Sequence, residues 1–216
     1  VIAYRDEGNS SYGTAIVGDV NISGNSIAFG SEVVFESANT THISATFDSN
    51  ENKVVIAYKD GPNSNYGTAI VGTVSGTSIS FGTAAVFESA NTFYISATFD
   101  SNVNKTVIAY TDGGNSSRGT AVVATVSGTS ISFGTPVAFE TSSTEYKAAT
   151  FDSVNNKVVI AYKDNTVDKG EVIAGTVSGT SISFDTAVQF DSDRPDWVAS
   201  VFDSNAEAVV IAYKDT

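Results

Sequence analysis

The chain has 216 residues, with 24 Asp and Glu against 11 Lys and Arg, a formal net charge of −13 and a pI near 4.2. That balance opposes nucleic-acid binding and any direct grip on anionic membranes, and it keeps a Val- and Thr-rich chain dispersed. The absence of cysteine excludes a disulfide framework and a thiolate metal site, and no apolar run approaches the roughly 18 residues that span a bilayer as a helix.

In chain order the first element is Val1-Ile2-Ala3-Tyr4, and this string returns throughout. The heptapeptide VVIAYKD occurs at 54–60, 158–164 and 209–215, and the tyrosines Tyr4, Tyr58, Tyr110, Tyr162 and Tyr213 are 54, 52, 52 and 51 residues apart. A unit copied at fixed period is the signature of a ring or solenoid in which each copy buries its apolar face on the next. The repeats run approximately over 1–53, 54–105, 106–157 and 158–208, with an extra strand at 209–216, and we read 1–216 as one domain. The chain opens inside a repeat, without a signal-peptide pattern and without methionine. It is therefore expected to be a piece of something longer.

Residues 93–141 serve as the type unit. Tyr94–Asp100 (YISATFD) is a short strand, followed by a turn at Ser101–Lys105. Thr106–Asp112 (TVIAYTD) is a second strand, apolar on both faces, as in a sheet covered on both sides. A Gly/Asn/Ser loop from Gly113 to Gly119 leads to a third strand at Thr120–Val126. Ser127-Gly128-Thr129 signals a hairpin. A fourth strand follows at Ser130–Phe133 and, after a break at Gly134, at Pro136–Phe139, with a polar loop expected from Glu140 to Thr144. Four short antiparallel strands in about 52 residues match a β-propeller blade. No helical apolar period persists. The fold class is all-β.

The VIAY strand occurs five times and the other three strands four times each, seventeen where four blades need sixteen. We expect four blades of four antiparallel strands, the C-terminal first strand completing the N-terminal blade and closing the ring; the alternative is five blades with incomplete ends. The surplus strand could also pair with a second copy. A two-residue expansion at Asn21–Asn25 and a shortened fourth repeat are marks of natural drift rather than of an engineered repeat.

An aromatic ring recurs at one register just before the first strand: His42, Tyr94, Tyr146 and Trp197. Around one mouth of a central channel these would stack on sugar rings or cap an apolar ligand, or else plug the channel. Glu36, Glu88, Glu140 and Asp191 begin the same segments and could accept sugar hydroxyls. Asp48, Asp100 and Asp203 head turns with oxygen side chains at alternate positions, a weak calcium pattern that an Asx turn explains equally; no other cofactor is indicated. With His42 the only histidine, no Ser–His or multi-histidine site can be assembled. Paired carboxylates alone leave a polysaccharide-active enzyme the least supported reading, and no catalytic residue is assigned.

The repeat SGTSISFGTxxxFESANTxxISATFDSNxNKVVIAYKD resembles repeats of predicted virion and appendage proteins of marine bacteriophages. More distantly, FDSxxNKVVIAYKD is similar to strand pairs of sialidase-like and lectin propellers. The Asp-box of those families (Ser-x-Asp-x-Gly-x-Thr-Trp) is missing, so their sugar sites do not carry over. The phage resemblance implies an extracellular or virion-associated protein in contact with a host surface. The resulting expectation is a non-catalytic module for surface glycans, with a ligand-free structural spacer as the alternative.

Overall fold

A computed structural model describes residues 1–21, 24 and 26–215; of the expansion at Asn21–Asn25, Ile22, Ser23 and Asn25 lie outside the described residues. Apart from a 3-10 turn at Glu7–Asn9, every regular element among the described residues is a strand. Unit I contains β1 (Ile2–Asp6), β2 (Tyr12–Ile16), β3 (Gly18–Asn21), β4 (Ser26–Phe29) and the first half of β5 (Val33–Asp48). Unit II takes the second half of β5, then β6 (Lys53–Asp60), β7 (Tyr66–Ser75), β8 (Ser78–Phe81) and the first half of β9 (Ala85–Asp100). Unit III repeats this with β9, β10 (Lys105–Asp112), β11 (Arg118–Ser127), β12 (Ser130–Phe133) and β13 (Val137–Asp152). Unit IV runs from β13 through β14 (Lys157–Asp164), β15 (Lys169–Ser178) and β16 (Ser181–Phe184) to β17 (Val188–Asp191). β18 (Asp196–Asp203) and β19 (Ala208–Lys214) form a separate antiparallel pair.

All pairings are antiparallel, and fifteen strands join in one continuous sheet. The joints are the 16-residue strands β5, β9 and β13. The first half of β13 pairs with β11, the outer side of unit III, and its second half pairs with β14 as the inner strand of unit IV. The loop expected at Glu140–Thr144 is therefore strand. Its backbone is satisfied there, since Thr144 N–H donates to Ser117 O at 3.1 Å, as Thr92 does to Asn65 O and Thr40 to Ser11 O. With no Gly or Pro in the segment, an extended chain with partners outcompetes a loop. Only in the last copy is the long strand cut, between β17 and β18, where Pro195 removes a donor and fixes φ.

The repeated VIAY strand is buried scaffold. On β6, Val55 and Ala57 face unit III and meet Ile108 and Tyr110, while Val54, Ile56 and Tyr58 face unit I and meet Ala15 and Phe35. The same alternation places Val107 and Ala109 against Val158, Ile160 and Tyr162. Each unit thus buries one face on the unit before it and the other on the unit after it. That is why this strand lacks the polar alternation of a one-sided sheet. The two ends lack one neighbour each. Ile2 is 52% exposed and Val210 51%, although their counterparts Ile56 and Val55 are fully buried.

Candidate functional site

His42, Tyr94, Tyr146 and Trp197 sit midway along the strands that join the units, where pairing slips. On β5 the register jumps from Thr41↔Lys59 to Ser44↔Ala57, leaving His42 and Ile43 opposite Tyr58 alone. Equivalent slips lie between Glu145 and Ala148 and between Asp196 and Ala199, and one lies opposite Tyr94 on β10. Two residues facing one is a β-bulge, which bends the strand and re-aims a side chain. All four aromatics adopt left-handed backbone, with φ of 50°, 47°, 45° and 55°. For a bulky residue that conformation is an outlier costing about 1–2 kcal/mol.

The bulges deliver the four rings to one place. His42 and Tyr94 have ring centroids 5.3 Å apart, Tyr94 and Tyr146 5.1 Å, and Tyr146 and Trp197 5.4 Å, at interplanar angles of 46–61°. With the following residues Ile43, Ile95, Lys147 and Val198 they line a single cavity of about 580 Å³, within the size range of small-ligand sites. Trp197, last in the series, is 71% exposed. Tyr94 also borders a smaller cavity of about 190 Å³ beside Thr111, Ser143 and Glu145. His42 Nδ1 accepts a hydrogen bond from Tyr94 N–H at 3.2 Å, which uses the neutral imidazole. Burial first, then Lys59 and Lys147, pushes the His42 pKa down.

Three ammonium groups lie behind the rings, and residue types alone did not single them out. Lys59 Nζ stands 4.1 Å from the Phe93 centroid, Lys147 Nζ 5.7 Å from that of Tyr94, and Lys163 Nζ 6.0 Å from that of Tyr146. Lys163 pairs with Glu145 at 3.6 Å and Asp168 at 3.8 Å. Lys147 is buried; its Nζ donates to Thr111 Oγ1 and, at 3.2 Å, to Thr144 O. Desolvation holds the Lys147 pKa well below its ordinary value, with Glu145 opposing. Superposing the repeats exposes the signal. Lys147 replaces Ile43, Ile95 and Val198, and Thr111 replaces Lys59, Lys163 and Lys214. The lysine missing from the second strand of unit III is thus met by one on the inner strand of unit IV, whose ammonium reaches Thr111 across the joint.

The predicted carboxylates do not line the aromatic cavity. Glu36, Glu88 and Glu140 instead accept the hydroxyls of Tyr58, Tyr110 and Tyr162 at 3.3, 3.0 and 3.1 Å, while Asp191, after burial, raises the pKa of the equivalent Tyr213. Burial raises the Glu36 pKa, with Asp60 adding to it. It raises that of Glu88 too, against the lowering by the Tyr110 hydrogen bond. In unit IV the group is enlarged: Glu171, at 3.0 Å, shares the single Tyr162 hydroxyl proton with Glu140, and Glu140, Asp164 and Glu171 bring carboxylate oxygens within 4.8 Å of one another. The weak calcium candidates act as turn caps. Asp48 Oδ1 accepts from Asn50 N and Glu51 N, both at 3.0 Å; Asp100 Oδ1 from Asn102 N and Val103 N; and Asp203 Oδ1 from Asn205 N and Ala206 N.

Comparison with protein-family models and with curated proteins gave no match to the chain.

Proposed function

We propose that the protein is a non-catalytic binding module for surface glycans, carried on a four-bladed β-propeller and belonging to a virion or other extracellular appendage. The observation that supports this is the set of four strained bulges. Each holds a bulky aromatic in left-handed backbone, and all four open on one cavity. Strain of this kind persists only where the surrounding structure over-determines it, and it clusters at ligand-binding positions. A curved row of aromatic faces with neighbouring Lys and Tyr polar groups suits the apolar face and hydroxyls of a sugar ring.

A second reading, a ligand-free spacer, draws on the ring-to-ring packing. Centroids 5.1–5.4 Å apart are within contact distance for aromatic pairs, so the row also fills space between units.

A glycan array with the whole chain separates the two. Binding to a bacterial or algal surface polysaccharide is expected, and silence across the array removes the glycan reading in favour of the spacer. For any glycan that binds, Tyr94→Ala should lower affinity at least tenfold. Trp197→Gly should do the same while moving the melting temperature by no more than about 2 °C. Release of the left-handed strain, about 1 kcal/mol, offsets the loss of a ring contact worth about as much, and about 1 kcal/mol is 2–4 °C at this size. Unchanged affinity in both variants would place binding away from the cavity.

A further inference from the structure

We infer that β19 takes the place of β1 beside β2, so that β18 and β19 complete unit I and close the array within one chain. The inference rests on the propeller reading and adds to it the identity of the seam. Unit I has second, third and fourth strands but no inner strand of its own, whereas β18–β19 is an inner strand with a second strand and nothing beyond it. The overlap is one strand, present twice as IAYRD in β1 and AVVIAYK in β19.

The two copies carry the same pairing code. β1 sets Ala3 opposite Ala15 and Tyr4 opposite Thr14. In unit II, β6 sets Ala57 opposite Ala69, Tyr58 opposite Thr68 and Val55 opposite Val71. Transferred by the repeat, β19 would set Ala212 opposite Ala15, Tyr213 opposite Thr14 and Val210 opposite Val17. Exchanging one strand for its duplicate leaves the ladder hydrogen bonds unchanged in number, so they cancel. What remains is apolar burial, because β19 brings β18 with it and covers Val201 and Val210, 59% and 51% exposed in the unclosed form. It also removes two open sheet edges. That Trp197 of β18 and His42 of β5 line one cavity bends the array toward its own start and favours closure within the chain over a second copy.

Two departures from the repeat are in keeping with this seam. Gly30, Gly82 and Gly134 end the short fourth strands, and a Cβ on them would stand 1.9, 2.0 and 1.8 Å from the carbonyl oxygen of Thr77, Thr129 and Thr180, on the hairpin of the following unit. The fourth copy of this position is Asp185, so a hairpin of the usual length cannot approach it in the usual way. In the closed ring the hairpin that follows Asp185 is that between β3 and β4. It is the one hairpin of the four whose strands are separated by four residues (22–25), against two at 76–77, 128–129 and 179–180. The side chain at Asp185 and the four residues that separate β3 from β4 are both exceptions to the repeat, and they fall on the two units that meet at this seam.

Because the chain has no cysteine, paired cysteines report the seam in the 216-residue chain. Ala15→Cys with Ala212→Cys, and separately Val17→Cys with Val210→Cys, should each lose both free thiols on mild oxidation and run as monomers without reductant. Ala3→Cys with Ala15→Cys should keep its thiols. Two pairs at different depths guard against one of them failing to fold. The inference is overturned if the Ala3–Ala15 pair closes while the other two stay reduced, or if the new disulfides join separate chains. Glycan binding by a chain whose Ala15–Ala212 pair stays reduced would remove this inference and leave the glycan reading standing.

Discussion

Lys147 is the residue whose chemistry departs furthest from its repeat. Its siblings Ile43, Ile95 and Val198 present only hydrocarbon, whereas Lys147 takes an ammonium into a buried site against Thr111 and Thr144. Removing that charge leaves no orphan, since Thr111 Oγ1 itself donates to Thr144 O at 2.7 Å. Lys147→Ile is therefore expected to raise stability by about 1–3 kcal/mol near neutral pH, as replacement of buried charge by well-packed hydrocarbon commonly does. The lysine also has a signed pH signature. With its folded pKa depressed, the unfolded chain binds the proton more tightly, so stability rises with pH between the folded value and the ordinary lysine value. Thermal melts from pH 7 to 9.5 should show the native chain gaining stability and Lys147→Ile gaining less. A variant less stable than the native chain, with the same slope, would show the ammonium to be a net stabiliser. Comparison of the repeats makes this residue visible, but not its burial, because a lone lysine in a strand more often reaches solvent.

At the scale of elements, the joints between units depend on close backbone approach. A methyl on Gly134 would sit 1.8 Å from Thr180 O, a distance no rotamer relieves, so units III and IV would have to separate. Gly134→Ala is expected to destabilise by 3 kcal/mol or more, on the order of other overpacked core sites. Asp185→Ala, at the same register, should cost less than about 1 kcal/mol, the worth of the exposed Lys157–Asp185 pair at 3.2 Å. Equal effects in denaturant melts would contradict the seam geometry.

The alternation and spacing of the VIAY strands announce such joints, and the fixed register of His42, Tyr94, Tyr146 and Trp197 anticipates their convergence. The continuity of β5, β9 and β13 is hidden, because Glu-Ser-Ala-Asn-Thr at 36–40 reads as a loop until a neighbouring turn supplies its hydrogen-bond partners. The same misreading put Glu36, Glu88 and Glu140 beside the aromatics. Seen as strand residues before the bulge, they point instead to the tyrosine hydroxyls. Positive φ at a tyrosine or tryptophan has no signature in residue type at all.

For the whole molecule, the charge of −13 and the sites that titrate first set the response to acid. Glu36, Glu88 and Asp100 have pKa values raised chiefly by burial. A carboxyl that holds its proton more tightly in the folded chain contributes stability that is complete below its unfolded pKa and lost as pH rises through the folded value. Acidification from neutrality therefore restores stability through these three groups, and it also reduces the self-repulsion of an acidic chain. His42 acts in the opposite sense. Its folded pKa is depressed, so the unfolded state takes up the proton first, and stability falls as pH drops through the ordinary histidine range. His42, joined by Lys147 as the pH falls toward its depressed folded value, stands against three carboxyls and the general relief of charge. The melting temperature should accordingly rise from pH 7.5 to pH 5, with the gain held back near pH 6.5. His42→Tyr, which installs the residue of units III and IV, should remove the restraint, and Glu88→Gln should reduce the gain at pH 5. A melting temperature that falls over this range, in the native chain and in His42→Tyr alike, would mean that these carboxylates are better solvated than their burial implies.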